Sequence, residues 1–282
     1  MDDKIDYLTI YLNMKTILAP VDFSPASLNA LSFAAELARR SSANLIVGTV
    51  VQTERVEHDV SSQLDEAILS VRTSFGGKVN CSPEVVVGDL IESIMQMIGD
   101  HQPDLVVMGT KGASGLKEIL IGSNTVKVLA KTTVPVLVVP ESALFENFHN
   151  TGKNKIVLAT DLDAVDNEKG LELLKEIAML IIEPKVKVVS IRPKNTELDY
   201  MKRLQRDALL GLFHPEVESE RITVFSNNVM SGLNYYLDKN DDTGLVAMIA
   251  RDTGQLIQRH YTREMASHTH YPLLVLHDSV AS

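Results

Sequence analysis

The sequence predicts an α/β protein built as two tandem, doubly wound, five-stranded parallel sheets, and three observations carry that prediction. Short apolar runs alternate with stretches of helical period, giving the order βαβαβαβαβ over the first half. A chain that alternates in this way forms a mostly parallel sheet with helices on both faces. The second half repeats the first in type. Ile156-Val157-Leu158-Ala159-Thr160-Asp161 follows Ile17-Leu18-Ala19-Pro20-Val21-Asp22, and Tyr271-Pro272-Leu273-Leu274-Val275-Leu276 follows Val134-Pro135-Val136-Leu137-Val138-Val139, at offsets of 139 and 137 residues. At 282 residues the chain also fits two domains of ordinary size. We expect one domain over residues 14–142, a linker over 143–153 and a second domain over 154–282; the first 13 residues are assigned no function.

Taken in order, residues 15–22 read as a buried strand that ends in a carboxylate. Ser24-Pro25 then supplies an N-cap and a first-turn proline, and Leu28, Leu31, Ala35 and Ala38 recur on one helical face. Residues 44–51 are the second strand. A helix from about His58 to Phe75 follows, stopped by Gly76-Gly77. Residues 84–87 form the third strand, and Gly88-Asp89 turns into a helix over 90–98. Pro103-Asp104 bounds the fourth strand, Leu105-Val106-Val107-Met108; a helical pattern returns at Val126, and residues 136–139 are the fifth strand. In the second half the same reading gives helices at 170–182, about 198–210 and 232–237, and strands at 185–191, 222–225 and 245–250.

Composition narrows the function. The net charge is −10 and neither half is basic, so a sequence-independent hold on nucleic acid, which requires many phosphates to be neutralised, is not expected. Cys81 is the only cysteine, which excludes an internal disulfide framework and a cysteine-based zinc site. Met1-Asp2-Asp3-Lys4 lacks the basic start of an export signal and no apolar stretch is long enough to span a bilayer, so no membrane partner and a cytoplasmic location are expected.

The most informative stretch is the loop after the fourth strand. Gly109 and Gly112 lack the Cβ that would keep a ligand away from the backbone. Gly122-Ser123 falls where a helix begins, with unpaired N–H groups and a positive dipole end. Together they describe a phosphate cradle. The pattern is neither a P-loop nor G-x-G-x-x-G; it is G-x2-G-x9-G-[ST], through Gly109, Gly112, Gly122 and Ser123. Here the sequence resembles the universal stress protein family in its ATP-binding branch, a likeness that extends to Met108, to Lys117-Glu118-Ile119-Leu120 and to residues 135–139.

The resemblance implies a Rossmann-like, adenine nucleotide alpha hydrolase-like sheet of order 3-2-1-4-5. Its ligand crevice then lies between the strand ending at Asp22 and the one ending at Gly109. It implies ATP, with or without magnesium, as the ligand. Asp22 contacts the nucleotide, backbone near Val50 meets the adenine edge, and Pro20, Val21 and Met108 line the crevice as core residues. Ser123, Asn124 and Thr125 at the helix start either cap it or bind phosphate, both through the same unpaired donors. Lys111 adds positive charge. In that strand order the last strand of each repeat is an apolar edge, so the domains are expected to pair with each other, as in family dimers, and the chain to form a homodimer.

The second repeat departs from the pattern. Ala250 is expected in place of the first glycine, Arg259-His260 in place of Gly122-Ser123, and no nucleotide in the family manner. Asp161, Asp163 and Asp166 read as caps and solvated loop. His260, His268 and His270 have no cysteine or carboxylate pattern to complete a metal site. Enzyme signatures are missing: Ser-Gly-Gly-x-Asp, His-x-Gly-His and Gly-x-Ser-x-Gly do not occur, and no catalytic residue is assigned. A binding module with a stress-response role is expected, ahead of a slow ATPase or nucleotidyl transferase and of a purely structural dimerising protein.

Overall fold

The computed structural model of the chain describes residues 12–53, 57–110, 123–143, 145, 152–166, 168–251 and 271–278. The chain divides into two compact units, Met1–Phe145 and Glu146–Ser282.

In the first unit, strands β1 (Thr16–Pro20), β2 (Asn44–Val51), β3 (Asn80–Val87), β4 (Leu105–Thr110) and β5 (Val136–Pro140) interleave with helices α1 (Pro25–Ser41), α2 (Glu57–Ser74), α3 (Leu90–His101) and α4 (Ser123–Lys131). The strands lie in the order β3-β2-β1-β4-β5 and pair in parallel. Ile17 and Leu18 at the centre of β1 point to opposite faces and both are fully buried, because helices cover the sheet on each side. Each such side chain stabilises the fold by roughly 1.5–3 kcal/mol. Asp104 sets the register at the strand starts: its Oδ2 accepts from the backbone N–H of Lys15 at 2.6 Å and of Thr16 at 3.0 Å.

Helix α1 starts where the Ser24 hydroxyl accepts the Ser27 N–H, with Pro25 in the first turn. It ends at Ser42, whose left-handed backbone returns its N–H to the Ala38 carbonyl. Ala26, Ala30, Ala34 and Ala38 are buried, and these small residues let the helix lie close to the sheet. Glu36 is also buried, held between Arg39 and Arg40 at 2.7 Å each. Burial pushes its carboxyl up, but the two arginines outweigh that and hold it below the usual glutamate range. Past β5, the Asn29 side chain donates to the carbonyls of Pro140 (2.9 Å) and Ala143 (2.8 Å), and Phe145 meets Phe33 edge-on at 5.2 Å. Ala143 and Phe145, expected in the linker, pack on the first unit.

The second unit contains β6 (Lys155–Ala159), β7 (Lys185–Arg192), β8 (Glu218–Phe225), β9 (Thr243–Ala250) and β10 (Leu273–His277), with α5 (Lys169–Met179), α6 (Tyr200–Phe213) and α7 (Val229–Lys239). Its order is β8-β7-β6-β9-β10, again 3-2-1-4-5 when counted within the unit, and its pairs are parallel. Asp199 and Asn228 cap α6 and α7 through side-chain oxygens. Two strands begin earlier than the apolar runs suggest: β3 at Asn80 and β8 at Glu218. Both are outermost in their unit's order, where polar residues and Pro83 can continue the ladder.

Candidate functional site

From β1 and β4 the chain proceeds across the sheet in opposite directions, and the carboxyl ends of such a pair open a crevice. At the end of β1 the Val21 N–H donates to the Gly48 carbonyl at 2.8 Å. Asp22 then turns the chain: its Oδ1 accepts from the Ser24 N–H at 3.0 Å and from the Ser24 hydroxyl at 2.5 Å. Phe23 is thereby held at φ 59°, a conformation that costs a non-glycine residue about 1–2 kcal/mol. The Asp22 side chain is exposed. Partial burial pushes its carboxyl up, but the bonds from Ser24, Ser27 and backbone N–H groups outweigh that and hold it below the ordinary aspartate range. At neutral pH it is an anion that only accepts hydrogen bonds. Val21 and Met108 are buried, and Pro20 and Val50 half-buried.

At the end of β4, Gly109 has a packing reason of its own. A Cβ there would lie 2.4 Å from the Ala26 carbonyl oxygen and 2.8 Å from the Ser27 nitrogen, both in the first turn of α1. Its absence seats the start of α1 on the strand end. The Ser27 hydroxyl accepts from the Asp22 N–H at 3.3 Å, and the Thr125 hydroxyl donates to the Gly109 carbonyl at 3.2 Å. Asp22, Ser27, Gly109 and Thr125 are thus linked through one connected set of contacts. Ser123 and Asn124 stand exposed at the first turn of α4, while Thr125 is buried. Among the described residues the buried Thr110 hydroxyl has no hydrogen-bond partner. Lys111, Gly112 and Gly122 lie outside the described residues.

The second unit keeps the turn and changes what fills the crevice. Asp161 Oδ1 accepts the Asp163 N–H at 3.0 Å and Leu162 sits at φ 62°, as at Asp22 and Phe23. Ile156 pairs with Leu245 where Ile17 pairs with Leu105, so the register sets Ile249 in the place of Gly109, Ala250 in that of Thr110 and Arg251 in that of Lys111. This corrects the expectation that Ala250 replaces the glycine: a loop that has lost the G-x2-G-x9-G spacing offers no landmark to count from, whereas the ladder matches residues one by one. The connection from β6 to α5 spans residues 160–168, against 21–24 between β1 and α1. Helix α5 accordingly starts later, with Gly170 close to Leu276. Arg259, His260, His268 and His270 lie outside the described residues.

Arg251 fills the space. Its guanidinium donates to the carbonyls of Ala164 and, at 2.7 Å, of Asp163; it pairs with Asp161 Oδ1 at 3.4 Å and Asp278 Oδ2 at 3.3 Å. The other oxygen of Asp278 accepts the Asp166 N–H at 2.7 Å. Lys202 reaches the Asp161 carbonyl at 3.1 Å and the Asp163 carboxylate at 2.9 Å. Burial pushes the Asp163 carboxyl up, and the bond to Lys202 with the charges of Lys202 and Arg251 brings it below its ordinary value. Asp161 caps its turn and Asp163 and Asp166 are exposed, as caps and solvated loop should be, but Asp161 and Asp163 also line an ion-paired cluster with Arg251 and Lys202.

Comparison with known proteins places this geometry. The universal stress protein family profile matches residues 13–140. A universal stress protein of Thermus aquaticus is 30% identical over 136 residues, which make up 44% of this chain and 98% of that protein. The chain belongs to the universal stress protein family. A universal stress protein of Methanocaldococcus jannaschii is 46% identical over 55 residues, 20% of this chain and 34% of that protein. An uncharacterized protein of Schizosaccharomyces pombe is 30% identical over 169 residues, 55% of this chain but 28% of that protein. The chain therefore spans about a third or less of those two relatives. The crystal structure of a universal stress protein from Archaeoglobus fulgidus covers 95% of this chain and 100% of its own, with a TM-score of 0.71 at 16% identity. That likeness extends the universal stress protein fold over both units.

Among the described residues no helix is long and apolar enough to cross a membrane, and no three His, Cys, Asp or Glu side chains gather as a metal site. Sequence reasoning missed two residues here. Gly48 leaves room for Met97, whose sulfur would stand 2.6 Å from a Cβ. Arg251 carried one usable signal, a lone basic residue at a strand end in a unit whose corresponding turn is rich in aspartate.

Proposed function

We propose that the first unit of this universal stress protein binds an adenine nucleotide, foremost ATP, in the crevice beyond β1 and β4. On this reading the chain serves a cytoplasmic stress response as a nucleotide-dependent binding module. The observation that carries it is the pattern Gly109, Gly112, Gly122, Ser123 falling at a switch point whose other wall is Asp22. The start of α4 offers unpaired N–H groups, a positive dipole end and the exposed Ser123 and Asn124 to phosphates. The Asp22 anion suits ribose hydroxyls, and Lys111 adds charge beside the phosphates. Magnesium, if carried by the nucleotide, would be held mainly through its phosphates.

Equilibrium binding of labelled ATP to the wild type and to Gly122→Arg tests the reading. A loss of about 100-fold is expected, since an arginine side chain at a cradle glycine bars close backbone approach; equal binding overturns the site. Sustained turnover that disappears in Asp22→Ala or Ser123→Ala, with the fold intact by circular dichroism, would replace binding with slow ATP hydrolysis or nucleotidyl transfer. No binding by the wild type would leave a structural protein.

A further inference from the structure

The surroundings of Arg251 resemble a receptor more than a chance surface pair. Its side chain is 10% exposed and that of Asp278 5%. The oxygens around the guanidinium come from two stretches far apart in the chain: Asp161, Asp163 and Ala164 after β6, and Asp278 after β10. A planar fork met by two carbonyls and two carboxylates is the arrangement that distinguishes a guanidinium from an ammonium. Burying such a charge is tolerated only where it is paired, as both terminal nitrogens are here. Among the described residues, the walls without Arg251 would hold Asp161, Asp163 and Asp278 against Lys202, a field that attracts cations and repels phosphate.

We infer that the second unit's crevice is a guanidinium-binding site which the chain fills with its own Arg251. The side chain is a tethered occupant. It ties the ends of β9 and β10 to the connection after β6, and it offsets the negative charge of the acidic walls. This assignment is independent of nucleotide binding in the first unit.

Chemical rescue of the full-length chain tests it. Arg251→Ala is expected to melt roughly 10 °C below wild type, the loss that follows from breaking a buried ion-paired group. Methylguanidinium chloride, on the order of 10 mM, should recover part of that shift saturably, while tetramethylammonium chloride should not. The wild type should respond to neither. Arg251→Lys, which keeps the charge without the fork, should melt below wild type, and Arg251→Ala/Asp278→Asn should lose the rescue. If Arg251→Ala is recovered unfolded, its refolding from urea should depend on methylguanidinium. The assignment is overturned if methylguanidinium does no more than the matched salt, if the wild type gains equally, or if Arg251→Lys is as stable as wild type.

Discussion

The two crevices share a frame and differ in their contents. Each has a central first strand ending in an aspartate, an Asx turn and a bulky residue with left-handed backbone. At the end of the fourth strand they part. Gly109 admits the first turn of α1, and the exposed start of α4 stands nearby; Ile249 leaves no such approach, and two residues on Arg251 takes up the space with its own charge. The turn is therefore scaffold, common to a unit proposed to take a nucleotide and to one that holds its own arginine. The difference between the units lies at the end of the fourth strand, Gly109 in one and Ile249 with Arg251 in the other.

Four substitutions probe that division, beginning with the largest effect. If the scaffolds are equivalent, Leu18→Ala and Leu158→Ala, both fully buried in the first strand of their units, each cost about 3 kcal/mol in denaturant unfolding. A difference beyond about 1 kcal/mol, outside the usual spread for such paired sites, would break the equivalence. Gly109→Ala sets a methyl group against the Ala26 carbonyl and is expected to cost about 2–3 kcal/mol and to weaken ATP binding. Ile249→Ala, half-buried, should cost about 1 kcal/mol and leave ATP binding unchanged; equal losses would show that the strand ends are not specialised.

The smallest effect is on pH dependence. The folded pKa of Asp22 lies below its unfolded value, so its stabilisation is complete above about pH 4 and is lost as pH falls through the folded value. Because the side chain is exposed, wild type should exceed Asp22→Asn by only about 0.5–1 kcal/mol at pH 7. Urea unfolding from pH 7 to pH 2 should show that gap closing in acid; a gap that persists at pH 2 would assign it to something other than the carboxylate.

Much of the frame was legible because strands buried on both faces must be continuous apolar runs. Residues 105–108 and 136–139 could hardly be read otherwise. Outer strands were legible only in part: Glu218, Glu220 and Arg221 belong to β8, yet nothing local separates them from a loop. The sequence marked Gly109 as needed but not why, since the atoms that require it belong to a helix far upstream. Arg251 carried a single weak signal and its role stayed hidden for the same reason. Its partners lie on two stretches, after β6 and after β10, that only the folded topology brings to it, so no local pattern could announce them.

Phe23 and Leu162 carry an unequal freedom to change. A glycine at either would relieve the backbone, but Leu162 is only 1% exposed, so removing it would open a hole that costs more than the relief. Phe23 is half-buried and has less to lose. The leading lobe therefore possesses a loop whose stiffness one codon can adjust at little net expense, whereas its trailing counterpart is locked by the side chain it shelters.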